Sequence, residues 1–160
     1  MSSALRLSVL DRLIDLAPRG SADEPSSLAR SSAELKAAVR RDVEWLLNTR
    51  RISEPAPAEL VEVGQSVYHF GLVDINSMSA DAPDVALALQ RHVEEALALF
   101  EPRLFNVRVS VPEEGEGARR MLHFRIEALL RMDPNPEQVQ FDTVVEVSSG
   151  KFQVAGERRA

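Results

Sequence analysis

The spacing of the apolar residues changes at Pro102, and this change limits the fold class of the chain. Before Pro102 the apolar residues recur at steps of three and four, which is the period of an amphipathic helix. After it they alternate with polar residues, which is the period of a half-buried strand. Helices followed by a run of strands are the pattern of α+β proteins. We therefore predict three helices packed on an antiparallel sheet of three to four strands.

Two of the helices are predicted in the first third of the chain. The first spans Val9–Leu16, with Ser8 as its N-cap. The second begins at Ser31, which lies at capping-box spacing from Glu34, and ends near Asn48–Arg51. The apolar stripe of this second helix consists of Leu35, Val39, Val43 and Leu46, widened by Trp45 and Leu47.

The third helix follows an irregular segment, Ser53–Ser79, in which we expect packed loop and one turn of helix. It begins near Asp81 or Pro83, a favourable cap and first-turn pair, and Pro102 ends it. Its apolar stripe consists of Val85, Leu89, Val93, Leu97 and Phe100.

The strands are predicted from four apolar segments after Pro102. The inward positions of the first three are Val107, Val109 and Val111; Leu122, Phe124, Ile126 and Ala128; and Phe141, Thr143, Val145 and Val147. Ser149 and Gly150 are predicted to form a two-residue hairpin turn into a last strand with Phe152 and Val154.

The length and composition indicate one soluble domain, residues 1–160. The net charge of −6, with acids spread along the chain, gives no reason to expect nucleic acid or an anionic membrane as a partner. The absence of cysteine excludes disulfides and thiolate metal sites. Charged residues interrupt the N-terminal apolar run, and no apolar run reaches the roughly 20 residues of a membrane span. We therefore expect a cytoplasmic protein without direct membrane insertion.

No cofactor site is predicted. The seven glycines are scattered, so no Gly-rich phosphate loop is present in the sequence. The histidines His69, His92 and His123 fall on a loop, a helix and a strand, and their spacing does not indicate a metal site. We expect no metal, no cofactor and no small-molecule substrate.

The segment around Pro102 admits three interpretations. As an enzyme site, Glu101 beside an apolar residue is placed where a carboxyl can act as a general acid, although glycoside hydrolysis needs a second carboxylate and Arg103 favours the charged form. As a local clamp, Arg103 pairs with a nearby acid and fixes the helix-to-strand corner. As a recognition corner, Pro102 fixes φ and presents Glu101 and Arg103 outward in opposite senses.

This segment also resembles a known family. Glu101-Pro102-Arg103, after a helix and before a Val-rich strand, resembles the Glu-Pro-Arg signature of the TssE family of type VI secretion baseplate proteins. That family also contains the baseplate wedge protein of contractile phages, named lysozyme-like. Other segments resemble the family in the same order: Ser8–Leu13, Leu46–Arg51, Phe70–Asp74 and Phe141–Thr143. In the third of these, Phe70 and Val73 stand where the family has Tyr and Pro. The resemblance covers about residues 8–155, which it implies to be the core of the domain.

The resemblance implies a structural subunit of a type VI secretion baseplate, docked at the inner membrane complex, that anchors or nucleates the contractile sheath. Its partners would be the other wedge subunits and the sheath subunits. Glu101, Pro102 and Arg103 would make the sheath or baseplate contact, with Arg50 and Arg51 as further candidates unless they only complement a helix C-terminus. The alternative is a peptidoglycan-cleaving hydrolase that uses Glu101. Because an open sheet has edges with unpaired backbone groups, we expect the sheath contact to add a partner strand.

Overall fold

The structure is a computed structural model of the chain, and it describes residues 28–74, 85–111, 121–133, 135–146 and 149–155. Within these ranges the chain forms three α-helices and a 3-10 turn: α1 (Leu28–Asn48), α2 (Val61–Gly64), the 3-10 turn Val67–His69 and α3 (Val85–Phe100). The same ranges contain one antiparallel sheet in the order β1 (Leu104–Ser110), β2 (Met121–Leu130), β3 (Glu137–Glu146) and β4 (Lys151–Val154). The predicted α+β class is confirmed.

Helix α1 ends where the sequence predicts but begins earlier. It starts at Leu28, three residues before Ser31, so Ser31 lies inside the helix and the predicted capping-box start is wrong. The helix extends because Leu, Ala and Arg, which precede Ser31, are good helix formers. The predicted stripe is buried except for Trp45, which is 61% exposed. Trp45 lies two positions after Val43 and therefore about 200° around the helix, on the side away from the core.

One hydrophobic core lies between the helices and one face of the sheet. Helix α1 packs mainly on β4, and α3 packs mainly on β1. The buried apolar residues of α3 are Leu89, Val93, Ala96 and Leu97, with Phe100 partly buried against them. The predicted helix Val9–Leu16 and the predicted start of α3 near Asp81 or Pro83 lie outside the described residues. The one-turn helix expected between 53 and 79 is present as α2.

Strands β2 and β3 follow the predicted alternation. They pair over ten residues each, from Met121↔Glu146 to Leu130↔Glu137. Their buried positions include the predicted ones apart from Leu122, which is partly buried, and Val147, which lies outside the described residues. The inward positions of both strands are therefore a direct consequence of the period of two in the sequence.

Strand β1 departs from the predicted alternation. Val109 is buried as predicted, but Val107 is only partly buried, and Val111 is 41% exposed and lies after the strand. The cause is a β-bulge in the pairing with β2: Phe105 pairs with Leu129 and Arg108 with Glu127, so two residues of β1 oppose one of β2. Asn106 adopts φ +52° there, in the left-handed region that asparagine tolerates. The extra residue turns both Leu104 and Val109 toward the core.

The predicted two-residue hairpin turn is wrong. Glu146 pairs with Lys151, so four residues separate the paired ends of β3 and β4. The backbone N–H groups of Ser149 and Gly150 donate to the carbonyl oxygen of Glu146 at 3.2 and 2.8 Å. Of the two described residues of this connection, Ser149 and Gly150, only Gly150 takes a positive φ, +66°, and it is the last residue before β4. A two-residue hairpin of the common type I′ needs positive φ at both central residues, and serine is poorly suited to it.

An ion pair fastens the first half of α1 to the start of β3. Lys36 Nζ lies 2.6 Å from Glu137 Oε1, and the hydroxyl of Ser32 donates to Glu137 Oε2 at 3.0 Å. The hydrogen bond from Lys36, opposed by partial burial and assisted by Ser32, lowers the pKa of Glu137. The pair therefore stabilises the fold above the ordinary pKa of glutamate, and this contribution is lost as the pH falls through the lowered value.

The end of α1 covers the outer edge of β4. Asn48 Oδ1 accepts from the backbone N–H of Phe152 at 3.0 Å, and Asn48 Nδ2 donates to the carbonyl oxygen of Phe152 at 3.0 Å. The same amide nitrogen donates to the carbonyl oxygen of Glu44 at 2.8 Å. Arg40 Nη1 donates to the carbonyl oxygen of Val154 at 3.5 Å. The Asn48 amide thus takes the place of a fifth strand at Phe152.

We predict that Asn48→Ala lowers the free energy of unfolding by about 1–2 kcal/mol, because both backbone groups of Phe152 lose their protein partner. Urea denaturation measures the change. Gln153→Ala, an exposed substitution on the same strand, is the control and should change stability by less than about 0.5 kcal/mol. Equal effects of the two substitutions would show that Asn48 does not hold α1 on β4.

Candidate protein-interaction site

A tight turn joins α3 to β1 at the Glu-Pro-Arg segment. The backbone N–H of Glu101 still donates to the carbonyl oxygen of Leu97 at 3.0 Å, which extends the helical bonding by one residue. Pro102 has no N–H and cannot extend it further. The N–H of Leu104 donates to the carbonyl oxygen of Glu101 at 3.0 Å, and β1 begins there. We call residues 101–103 the corner.

Glu101 points inward and is paired with Arg103. Its side chain is 5% exposed, and both of its oxygens accept hydrogen bonds from the guanidinium. Arg103 Nε lies 2.6 Å from Oε1 and Nη2 lies 2.5 Å from Oε2, while the backbone N–H of Arg103 approaches Oε1 at 3.3 Å. This is a bidentate arrangement, the geometry in which an arginine–carboxylate pair is strongest.

Arg103 also reaches α1. Its Nη2 lies 2.7 Å from Asp42 Oδ2, and its side chain is 19% exposed. The other oxygen of Asp42 accepts from Arg41 at 2.7 and 3.0 Å. Arg103 Nη1 is buried and has no hydrogen-bond partner in the described part of the chain. The guanidinium therefore bridges the corner and α1 across 61 residues of sequence.

The ion pairs keep Arg103 charged. Burial disfavours the charged guanidinium and by itself would lower the pKa of Arg103. The hydrogen bonds and charges of Glu101 and Asp42 outweigh burial and raise that pKa above its ordinary value. Arg103 therefore stays charged, as arginine does in proteins generally.

The predicted pairing of Arg103 with a nearby acid is confirmed, and that acid is Glu101 together with Asp42. The prediction that Glu101 and Arg103 point outward in opposite senses is wrong, because each binds the other and Glu101 is buried. Pro102 is exposed. The role of the three residues in binding a sheath or baseplate partner stays a prediction.

Arg50 and Arg51 lie against a different segment. Arg50 is 63% exposed, and its Nη1 lies 3.3 Å from Asp74 Oδ2. The backbone N–H of Arg51 donates to the carbonyl oxygen of Leu72 at 2.8 Å, and the N–H of Leu72 donates to the carbonyl oxygen of Thr49 at 2.9 Å. These bonds connect residues 50–51 with residues 72–74. Among the described residues, no hydrogen bond or ion pair connects Arg50 or Arg51 with the corner.

Gly71 makes the junction between these segments possible. It adopts φ +108°, where side chains are strained, and a β-carbon there would overlap the carbonyl oxygen of Thr49. That oxygen is the acceptor for Leu72, so it cannot move away without loss of the bond. The presence of glycine at position 71 of the Phe70–Asp74 segment is therefore explained by steric overlap with Thr49.

A small cavity of about 110 Å³ brings together residues that the sequence separates. Its lining includes Arg51, His69, His92 and Glu95. His69 is bonded at both nitrogens: Nδ1 lies 3.0 Å from the carbonyl oxygen of Gly64, and Nε2 accepts from a backbone N–H at 3.4 Å. Within the described ranges no three His, Asp or Glu side chains are placed to hold a metal ion.

Within the same ranges no helix has the length and apolar character needed to cross a membrane.

A family profile matches this part of the chain. The family is described as baseplate wedge protein gp25, and the match spans residues 33–135, more than half of the sequence. The chain belongs to the gp25 baseplate wedge family. No curated protein sequence matches it. The matched span contains α1 from residue 33 onward, the corner, β1 and β2.

Membership of the gp25 family defines the general role of the chain. It is a structural component of a phage-tail-like baseplate and contacts other baseplate components. The family is structural although it is named lysozyme-like. Both acids that bind Arg103, Glu101 and Asp42, lie within the matched span.

Asp42 is the site residue that sequence reasoning missed. It lies beside Val43 on α1, next to the buried stripe, and its side chain is only 22% exposed. A carboxylate at the margin of an apolar stripe needs a nearby cation when the helix packs. The position of Asp42 beside the apolar stripe could have indicated that it has a cationic partner. Only the folded chain shows that this partner is Arg103.

We predict that Glu101→Ala lowers the free energy of unfolding by about 3 kcal/mol, because it leaves the partly buried Arg103 charge without its bidentate partner. Urea denaturation with tryptophan fluorescence measures this. Arg41→Ala, which removes an exposed partner of Asp42, should cost less than about 1 kcal/mol. If the Glu101→Ala protein is as stable as the Arg41→Ala protein, the pairing of Arg103 with Glu101 does not stabilise the corner, and this account of it is wrong.

We predict that Gly71→Ala lowers the free energy of unfolding by at least about 2 kcal/mol, through strain at positive φ and overlap with Thr49. The matched control is Gly64→Ala, whose β-carbon would meet its nearest atom, His69 Nδ1, at an ordinary 3.9 Å. Thermal melting of both variants decides. Similar melting temperatures would mean that the junction of residues 49–51 with 72 tolerates a displacement.

Proposed function

We propose that the chain is the TssE-type wedge subunit of a type VI secretion baseplate, and that it anchors or nucleates the contractile sheath there. Its partners are the other wedge subunits and the sheath subunits, and it works in the cytoplasm, at the baseplate docked on the inner membrane complex. Membership of the gp25 family supports a baseplate role. The observation that carries the finer proposal is the corner, a Glu-Pro-Arg segment locked by two ion pairs with its proline exposed.

The locked corner suits an assembly contact. Binding costs less when the contact surface is already ordered in the unbound protein. Glu101 and Asp42 order the Arg103 side chain, and the turn at Leu104 orders the backbone on either side of Pro102. In this proposal Glu101 shapes the contact from inside, while Pro102 and the accessible part of Arg103 touch the partner.

A second contact is proposed at Arg50. Its guanidinium is mostly exposed and faces Asp74 at 3.3 Å, so it can accommodate a partner carboxylate as well. Beside it lies an open hollow of about 320 Å³ whose lining includes Ile52, Val67 and Phe70. Val67 is 86% exposed and Ile52 is 52% exposed. An apolar hollow with an arginine at its rim is typical of a protein-binding surface. Arg51, the next residue after Arg50, is included in this proposed contact.

The peptidoglycan hydrolase alternative is not supported by the geometry of Glu101. A general acid must carry a proton and reach the leaving group of its substrate. Both oxygens of Glu101 are bonded to Arg103, and the side chain is 5% exposed. A carboxylate whose oxygens are both engaged by a guanidinium, and which solvent hardly reaches, is not placed to approach the leaving group of a substrate.

The test uses cells that lack the native gene and carry a fluorescent sheath subunit. Pro102→Asp places a charge on the exposed corner while leaving the ion pairs in place, and Arg50→Ala removes the exposed guanidinium. We expect both variants to melt within a few degrees of the unaltered protein, and we expect Pro102→Asp to abolish sheath formation and Arg50→Ala to reduce it. Arg41→Ala is the control and should form sheaths normally.

The same cells provide the contradicting result. Immunoprecipitation of the unaltered chain should recover wedge and sheath subunits, identified by mass spectrometry. Normal sheath formation with Pro102→Asp, or recovery of no baseplate or sheath subunit, would refute the proposal. Release of cell-wall fragments by the purified chain, lost in Glu101→Gln, would favour the hydrolase instead.

A further inference from the structure

Two hollows of different chemistry meet at Arg50. One is the apolar hollow of about 320 Å³ beside the 3-10 turn. The other is a polar pocket of about 250 Å³ between the end of α1, residues 72–74 and the start of β4, and its lining includes Asn48, Asp74 and Lys151. Arg50 lines both of them. An apolar site and a polar site therefore adjoin at one guanidinium whose side chain is 63% exposed.

The turn that carries Val67 is ordered by the residues around it. Val67 begins the 3-10 turn and is 86% exposed. The hydroxyl oxygen of Ser66 accepts from the backbone N–H of Tyr68 at 3.2 Å, and the same hydroxyl donates to the carbonyl oxygen of Val63 at 2.8 Å. His69, which ends the turn, is bonded at both ring nitrogens. Because its neighbours already fix the turn, covering Val67 with a partner costs little further ordering of the backbone.

The other walls of the apolar hollow are also ordered. Phe70 packs edge-to-face on Phe100, with their ring centroids 5.3 Å apart. The carbonyl oxygen of Thr49 and the backbone N–H of Arg51 are both bonded to Leu72. Since these backbone groups are used within the chain, recognition at the hollow falls to side chains. The volume lies at the lower end of the range for small-ligand pockets, about 300–1,000 Å³, and suits a large apolar side chain.

The polar pocket carries more positive than negative charge. Its ionisable lining residues are Arg50, Asp74 and Lys151. Asp74 Oδ2 lies 3.3 Å from Arg50 Nη1, and a guanidinium has five N–H donors, so Arg50 retains donors for a second carboxylate. Lys151 is exposed. Glu146, which pairs with Lys151 in the sheet, accepts from the hydroxyl of Ser149 at 2.7 Å and does not line the pocket. With two cations against one acid, the pocket attracts a carboxylate.

We infer that a segment of another wedge subunit docks across Arg50, with a large apolar side chain in the hollow and an aspartate or glutamate in the polar pocket. This inference rests on the baseplate function proposed above, and it gives the second contact a partner of stated chemistry. The proposed sheath contact lies at the corner, so this site is assigned to a wedge subunit. The apolar side chain covers Val67 and Ile52, while the carboxylate binds Arg50 with Lys151 as the second cation.

The absence of cysteine from the chain allows one thiol to be placed beside the hollow. Gln65→Cys places it two residues before Val67, and Gln153→Cys on β4 is the matched control, since both glutamines are exposed. Each variant is labelled with benzophenone maleimide, mixed with purified wedge and sheath subunits of the same secretion system, and irradiated. We expect residue 65 to cross-link a wedge subunit at least tenfold more than residue 153. Mass spectrometry should find a large apolar residue and an acidic residue in the cross-linked peptide. Cross-links from residue 65 mainly to a sheath subunit would overturn the assignment.

Substitutions test the apolar and the polar half separately. Val67→Asp should weaken binding of the wedge subunit at least tenfold, because a charge replaces the apolar contact and repels the partner's acid. The control is Leu87→Asp, at a 46% exposed apolar side chain of α3 that lines neither hollow, and it should leave binding unchanged. Arg50→Glu should also weaken binding at least tenfold, whereas Arg50→Lys keeps the charge and should weaken it less. Unchanged binding by Val67→Asp would refute the docking site.

A charge exchange tests whether Arg50 faces a carboxylate of the partner. Replacing the acidic residue of the cross-linked peptide by arginine should weaken binding to the unaltered chain and restore it with the Arg50→Glu chain. Raising the salt concentration from about 0.1 to 1 M should weaken the unaltered complex more than the Arg50→Ala complex, because salt screens the charge pair. If the exchange restores nothing and the salt dependence of the two complexes is the same, the polar pocket does not bind a carboxylate and the inference is wrong.

The proposed function and this inference fail in different ways. If the unaltered chain binds neither wedge nor sheath subunits in the mixing experiment, the proposed function fails and the docking site fails with it. If a wedge subunit binds but cross-links no more from residue 65 than from residue 153, the proposed function stands and only the docking site is wrong.

Discussion

The contact between the Arg103 guanidinium and its two carboxylates holds the rest of the structure in register. Glu101 supplies the bidentate half from the end of α3, and Asp42 supplies the second from α1. Arg103 itself begins the path into β1, so one charged group joins both long helices to the sheet. A buried ion pair adds little net stability compared with apolar residues, but removing one partner is costly. Its main effect is therefore to specify one arrangement of the three elements.

That specificity connects the fold to an assembly role. An assembly subunit must present the same surface each time a partner arrives, and a surface that is already ordered loses less entropy on binding. The ion pairs of Arg103 order the corner. Gly71, which no other residue can replace without strain, allows the junction between Arg51 and Leu72 to form. The hydrogen bonds of Asn48 to Phe152 order the edge of β4. Among the described residues, the accessible features include the exposed Pro102 and the apolar hollow that has Arg50 at its rim.

Much of the fold follows from the period of the sequence, and the exceptions have a common cause. The alternation in β2 and β3 and the stripe of α1 are local properties, and the structure keeps them. The bulge at Asn106, the four-residue β3–β4 connection and the exposure of Trp45 depend on how elements pack, which the period of one segment does not contain. The capping-box spacing of Ser31 and Glu34 does not mark the start of α1, because the helix formers that precede Ser31 extend the helix to Leu28.

The candidate site was half predictable for a similar reason. Glu101 and Arg103 are close in sequence, so their pairing was a local expectation, whereas Asp42 is 61 residues away and enters only when α1 packs. The measurement that tests this account most directly is a double-mutant cycle on Asp42→Ala and Arg103→Ala, read by urea denaturation. The account predicts a coupling energy of at least about 1 kcal/mol between the two positions. Effects that add within about 0.5 kcal/mol would show that Arg103 does not dock α1 on the corner, and would contradict it.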